Sequence, residues 1–196
     1  MGLVVVTPPS VLPVSLAEAK AAARVDETYD DAFILDSIAS ARKRVETMVR
    51  RTLTETTYRL TLDAFPLSGY PIELDQPPLL GVDSVQYVDT NGVLQTMAAS
   101  AYEVDTDEEP GRVKPVYGSA LWPTTRPYTF RAVRIQYRAG YGSAASSIPP
   151  EAKRLLLLLV AHEYENREPV QVDRMSELPR TIQDLVWLLR WGSYPA

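Results

Sequence analysis

The sequence predicts an α+β protein: a helical body of about four helices with a small antiparallel β module inserted between the second and third. Three observations predict it. Apolar residues recur at helical spacing toward both ends of the chain. A period-two alternation fills the middle, as in Thr57-Tyr58-Arg59-Leu60-Thr61-Leu62. Within that middle stretch Asn91-Gly92 marks a hairpin. The 196 residues suit one ordinary domain, helical over 15–52, β over 54–142, helical over 147–190, with a tail over 191–196.

Ser15-Leu16-Ala17-Glu18 is a capping box, in which the Ser15 hydroxyl accepts from the Glu18 amide and Glu18 reaches back. An alanine-rich helix follows to Val25, and Asp26 to Asp30 break it. Asp30 or Asp31 then caps a longer helix to about Arg51, whose Phe33, Ile34, Ile38, Ala41, Val45, Met48 and Val49 share one face. Acids at its start and Arg50 and Arg51 near its end complement the helix dipole.

Strands are predicted at Thr57–Leu62, Ile72–Leu74, Val82–Val88 and Val93–Met97, the last two joined by Asp89-Thr90-Asn91-Gly92 as a type I′ turn. Tyr102–Val104 and Arg112–Val116 form a second pair around an acidic turn. Arg131–Tyr137 is the clearest strand, and Gly140-Tyr141-Gly142 ends it. A third helix starts at Ser147 or Pro149 and runs to about Asn166; it is apolar nearly all round, which predicts burial on more than one side. Thr181 caps a last helix to about Arg190 with Ile182, Leu185, Val186, Leu188 and Leu189 apolar.

Composition narrows the chemistry. Hydrophobic residues make up 45% and charged residues 23%, a globular balance. A net charge of -5 argues against a broad basic surface for nucleic acid. There is no cysteine, which excludes disulfides, thiolate nucleophiles and Cys-based metal sites. The single histidine, His162, excludes multi-His metal sites. Met1 to Pro9 lacks the basic start of a signal peptide. The longest apolar run, Leu155 to Ala161, falls far short of the ~20 residues that span a bilayer. No membrane association is expected.

The remaining polar clusters read as structure. His162-Glu163-Tyr164-Glu165-Asn166 has Asn166 where a zinc-binding HExxH motif needs its second histidine, so it reads as a capped helix end. Asp105, Asp107, Glu108 and Glu109 lack the spacing of a calcium loop and read as a solvated turn. No pair of acids stands out for hydrolysis. Arg42, Lys43, Arg44, Arg50 and Arg51 form the only basic cluster; a DNA-facing stripe on the second helix is the alternative to a solvated face paired with Asp36 and Glu46. Trp122-Pro123 with Tyr117 and Tyr128 reads as a stiff aromatic loop, anchoring itself or meeting another subunit rather than stacking on a single strand. Eleven tyrosines and three tryptophans, many outside the clear helices and strands, favour interfaces.

Several stretches together resemble the head–tail connector (adaptor, or head-completion) proteins of long-tailed phages and gene transfer agents. They are Pro13-Val14-Ser15-Leu16-Ala17-Glu18-Ala19-Lys20 with the helix from Ile34 to Val49; Pro71 to Leu79 with Val82 to Asp89; and Val133 to Gly142, Ile148-Pro149-Pro150-Glu151-Ala152 and Tyr164 to Glu168. The pattern covers roughly residues 13 to 168. The resemblance implies a single connector domain with no catalysis and no cofactor. It implies a ring, usually dodecameric, beneath the portal protein, extending the DNA channel and presenting a surface to a tail-side stopper or terminator. DNA passes through without sequence-specific binding, and a negative charge suits such a conduit. Assembly would take place in the bacterial cytoplasm and the mature location would be the particle neck. Within this expectation Trp187, Trp191 and Tyr194 dock to the portal, Trp122 and Tyr128 meet a neighbouring subunit or the tail, and Arg42, Lys43, Arg50 and Arg51 face the channel. The rival function is a nucleic-acid-binding accessory module built on that basic cluster.

Overall fold

The computed structural model describes residues 1–118, 121–166 and 179–192. It divides into two compact units: Met1–Pro9 with Glu55–Gly140, and Ser10–Thr54 with Tyr141–Ala196.

The second unit is helical: α1 (Leu16–Ala23), α2 (Asp31–Val49), α3 (Pro150–Glu165) and α4 (Arg180–Leu189). The capping box at Ser15 forms as predicted, with the Glu18 amide donating to the Ser15 hydroxyl at 3.2 Å and the Ser15 amide donating to the Glu18 carboxylate at 2.6 Å. Asp30 is the residue before α2, but its carboxylate makes no cap bond; it accepts from the Tyr164 hydroxyl at 2.7 Å. Its neighbour Asp31 pairs with Lys20 at 2.7 Å. Ile34, Ile38, Ala41, Val45 and Val49 of α2 are buried at the predicted spacing; Phe33 lies off the stripe and meets the Tyr164 ring edge-on. Helix α3 packs against α1, α2 and α4, which explains its nearly continuous apolar run. Helix α4 starts one residue before Thr181, after Pro179 rather than after a side-chain cap.

Glu46 lies inside this unit. One carboxylate oxygen accepts from the Leu53 amide at 3.0 Å and the other from Arg42 at 3.2 Å. Burial pushes its pKa up, against the opposing pull of the Leu53 amide and Arg42. The folded chain thus holds this proton more tightly than the unfolded chain. The contribution to stability is complete below about pH 4.5 and is lost as pH rises through the raised folded value. Glu46→Gln keeps an acceptor for the Leu53 amide and does not ionise. Its melting temperature is expected to gain on that of the natural chain as pH rises from about 4 to about 7. A pH-independent difference between the two would contradict this.

The first unit is β: β1 (Gly2–Thr7), β2 (Thr56–Leu62), β3 (Ile72–Glu73), β4 (Leu79–Val88), β5 (Leu94–Thr96), β6 (Tyr102–Asp105), β7 (Arg112–Pro115) and β8 (Val133–Ala139). A five-stranded sheet runs β1-β2-β8-β4-β5 and a three-stranded sheet runs β3-β7-β6, with every pairing antiparallel. The protein is therefore α+β, with four helices among the described residues and antiparallel sheets. The sheet is nevertheless not wholly contained between α2 and α3, because β1 precedes α1 and pairs with β2. That valine-rich start carries no alternation, and its partner lies some fifty residues further on, so periodicity did not reveal it.

Register places Leu60, Ile135 and Val85 in one buried row and the buried Tyr58 and Tyr137 in the next, beside the half-buried Val82. The Tyr58 and Tyr137 rings stack at 5.7 Å, and the buried Tyr137 hydroxyl donates to the Asp75 carbonyl at 2.8 Å. The β4–β5 turn differs from the predicted type I′. Gly92 takes a positive φ of 85° but Asn91 does not, because the Asp89 carboxylate captures the amides of both Asn91 and Val93 at 2.9 Å.

Candidate functional site

Two surfaces carry the aromatic residues singled out by sequence, one on each unit. In the β unit the segment 63–71 lies against described residues of 121–131: Phe65 and Tyr70 meet Trp122, and Asp63 meets Arg131. Trp122 is 7% exposed and stacks on Phe65 with ring centroids 4.7 Å apart and planes 3° apart. Its indole N–H donates to the Tyr70 carbonyl at 2.9 Å. Trp122 is thus the anchor of this loop rather than its outward face. The anchored loop presents other rings: Tyr117 and Tyr128 are fully exposed and Phe130 nearly so, joined by Leu121, Leu67 and Tyr70. A cavity of about 260 Å³ opens between Leu67 and Leu121, over Phe65 and Trp122.

The loop is held in a demanding backbone shape. Tyr128 and Arg131 have φ of 56° and 55°, a left-handed region that bulky residues seldom adopt. The Arg131 amide donates to Asp63 at 2.7 Å and the Arg126 amide to the Val88 carbonyl at 3.1 Å, which pin the segment on both sides of Tyr128. Exposed aromatic rings on a pinned backbone lose little entropy on contact, which suits recognition.

In the helical unit α4 is amphipathic. Ile182 is buried and Leu185, Val186 and Leu189 pack beside it, while Trp187 is 64% exposed and Leu188 equally open. Leu188 is apolar like its neighbours, but the i, i+3, i+4, i+7 series from Ile182 leaves it outside the buried stripe. Trp191 is half-buried, and its amide donates to the Val49 carbonyl at 3.0 Å. The Arg51 guanidinium donates to the Leu189 carbonyl at 2.8 Å, so the ends of α2 and α4 are tied together. Tyr194 lies outside the described residues, as do Arg167 and Glu168.

The basic cluster does not form one stripe. Arg42 pairs with Glu46, Arg44 reaches Glu163 at 3.9 Å, and Arg51 serves α4; Lys43 and Arg50 are exposed. The acidic turn is closed on itself: Arg112 meets Asp105 at 2.9 Å and Glu108 at 3.4 Å, and hydrogen bonding to Arg112 holds the Asp105 carboxyl below its usual value. At the end of α3 the Asn166 amide donates to the His162 carbonyl at 2.8 Å. Among the described residues no cluster of His, Asp and Glu is arranged to hold a metal, and no helix is long and apolar enough to cross a membrane. Sequence reasoning passed over Phe130, Leu67 and Leu121; each is an apolar residue in a proline-bearing loop, a signal visible only beside Trp122.

No family model and no curated protein matches the chain. Solved structures do. A chain of the neck of an empty gene transfer agent (GTA) particle, computed with C6 symmetry, is 25% identical, with a TM-score of 0.79 over 97% of this chain and 95% of that one. A chain of the neck of a native GTA particle, computed with C12 symmetry, is 25% identical with a TM-score of 0.76 over the same shares. A chain of the virion of a native GTA particle shares the fold, at 23% identity and a TM-score of 0.78. The resemblance to head–tail connector proteins, drawn from scattered motifs, is thus borne out over the whole fold.

Proposed function

We propose that this chain is a structural subunit of the neck of a phage-like particle. In this reading it forms a ring beneath the portal, extends the DNA channel and joins the DNA-filled head to the tail. The observation that carries it is the superposition of nearly the whole chain, at a TM-score of 0.79, on a chain of a GTA neck. Necks computed with C6 and C12 symmetry support a ring, with twelve copies as the simplest number. The role is mechanical rather than catalytic, needs no cofactor, and is exercised at the particle neck after assembly in the bacterial cytoplasm.

The whole chain acts as one connector domain, the helical unit as its body and the β unit as the module carried between the second and third helices, completed by the N-terminal strand. Trp187, with Leu188 beside it, is the apolar contact offered to the portal, and Trp191 and Tyr194 extend it. Tyr128, with Tyr117 and Phe130, meets a neighbouring subunit or the tail-side protein, on a loop that Trp122 holds in place. Lys43 and Arg50 are the cations left to face the channel from the cluster that also contains Arg42 and Arg51. A net charge of -5 lets DNA slide past without tight binding.

Low-dose electron microscopy of particles with the chain present and deleted tests the reading. Deletion is expected to remove one ring of density between portal and tail and to accumulate DNA-filled heads without tails. Complete particles with that ring intact would overturn it.

A further inference from the structure

We propose that the two outer edges of the five-stranded sheet are the two halves of one self-interface: β5 of one copy pairs in parallel with β1 of the next. The inference rests on the ring reading above and names the surface that closes the ring.

A cyclic ring is built from a heterologous contact, in which two different patches of the same chain meet. The five-stranded sheet offers two such patches. Among the described residues no strand lies beyond β1 or beyond β5. Both edges are unusually open for edge strands. Val4 is 60% exposed, Val5 and Val6 are exposed beside it, and no charged side chain occurs from Met1 to Pro9. On the other side Leu94 is 45% exposed, Val93 is exposed too, and no charge occurs from Asn91 to Tyr102. Proteins ordinarily guard such edges with charged residues. This chain does so on its other sheet, whose outer strands carry Glu73 on β3 and Glu103 and Asp105 on β6. The unguarded pair is the pair at the two ends of one sheet.

Direction agrees. Four successive antiparallel pairings separate β1 from β5, so the two edges run the same way. Rotation about an axis along the strands preserves that direction and brings β5 beside the next β1 in parallel. Pairing of β1 with a second β1 would instead close a twofold dimer and stop. Register also puts Gly2, Thr61, Arg134, Gln86 and Thr96 in one row across one face. Val4, Leu94 and Thr96 therefore project from that same face. Because β5 has three residues, one such contact is weak, and the ring closes when copies are held side by side by a template.

The absence of cysteine makes the test clean. Val4→Cys is combined with Leu94→Cys or with Thr96→Cys, all exposed positions that leave the core intact. Particles carrying each variant are treated with a short thiol-to-thiol crosslinker and resolved by mass under denaturing conditions. At least one double variant is expected to give a ladder at multiples of the chain mass ending at the closed ring, while single variants stay at one chain mass. Homodimers from Val4→Cys alone, or its crosslinking to a different neck protein, would overturn the proposal. So would a ring visible by microscopy with no crosslink in either double variant, which leaves the neck role standing. A neck lacking this chain would overturn both.

Discussion

Trp122→Ala is expected to destabilise the β unit by about 3–5 kcal/mol, the range for truncating a large buried aromatic residue. Three losses combine. The stack on Phe65 disappears, the Tyr70 carbonyl loses its donor, and a void opens beneath Leu67 and Leu121. Urea unfolding of the purified chain measures the effect as a lower midpoint. Tyr128→Ala is the informative contrast. Its ring is fully exposed, so its truncation is expected to shift stability by no more than about 0.5 kcal/mol. In particles both variants are expected to impair assembly, Trp122→Ala because the loop is lost and Tyr128→Ala because the contact is lost. Normal assembly with Tyr128→Ala would remove this loop from the interface.

The contrast also marks what the sequence could reveal. Trp122 and Tyr128 look alike on the page: aromatic residues among prolines, outside any regular pattern. Their opposite fates depend on Phe65 and Tyr70, which lie more than fifty residues before Trp122 in the chain and meet it in the folded unit. A local pattern does not encode that meeting. The strands themselves were legible, because one buried face imposes period two, and Thr57 to Leu62 and Val133 to Tyr137 obey it. Strand β1 was not, since three consecutive valines at a sheet edge have no buried face to alternate against.

The helices show the same division. Ser15 and Glu18 act within one turn, so the capping box was readable and is present. Asp30 or Asp31 was expected to cap α2, but Tyr164 takes the Asp30 carboxylate and Lys20 pairs with Asp31. In α4 the crowded run Leu185-Val186-Trp187-Leu188-Leu189 left the phase of the stripe open; contact with the other helices fixed it and turned Leu188 outward with Trp187. The basic cluster dispersed for a related reason. Glu46, four residues on along the same helix, takes Arg42 as the sequence allowed, whereas the Leu189 carbonyl that takes Arg51 lies 138 residues away and becomes visible only with the helices packed.

Leu156→Ala is the second large effect expected, at about 2–5 kcal/mol. Leu156 is fully buried in the cluster that joins α2 and α3 with Ala19, Ile148 and Ile182. The buried cluster to which it belongs draws on all four helices, so little freedom to collapse is expected, which places the cost toward the upper part of the range. Denaturant unfolding followed by helical circular dichroism measures it. A cost below about 1 kcal/mol would mean that α3 is not the centre of this unit. The matching surface variant, Trp187→Ala, removes an exposed ring and is expected to leave the unfolding midpoint nearly unchanged. If α4 meets the portal as proposed, that variant nonetheless loses portal binding, measured by co-sedimentation with portal-bearing heads. A stable Trp187→Ala chain that binds as the natural one does would move the portal contact elsewhere, since the inner stripe of α4 is already spent on its own core.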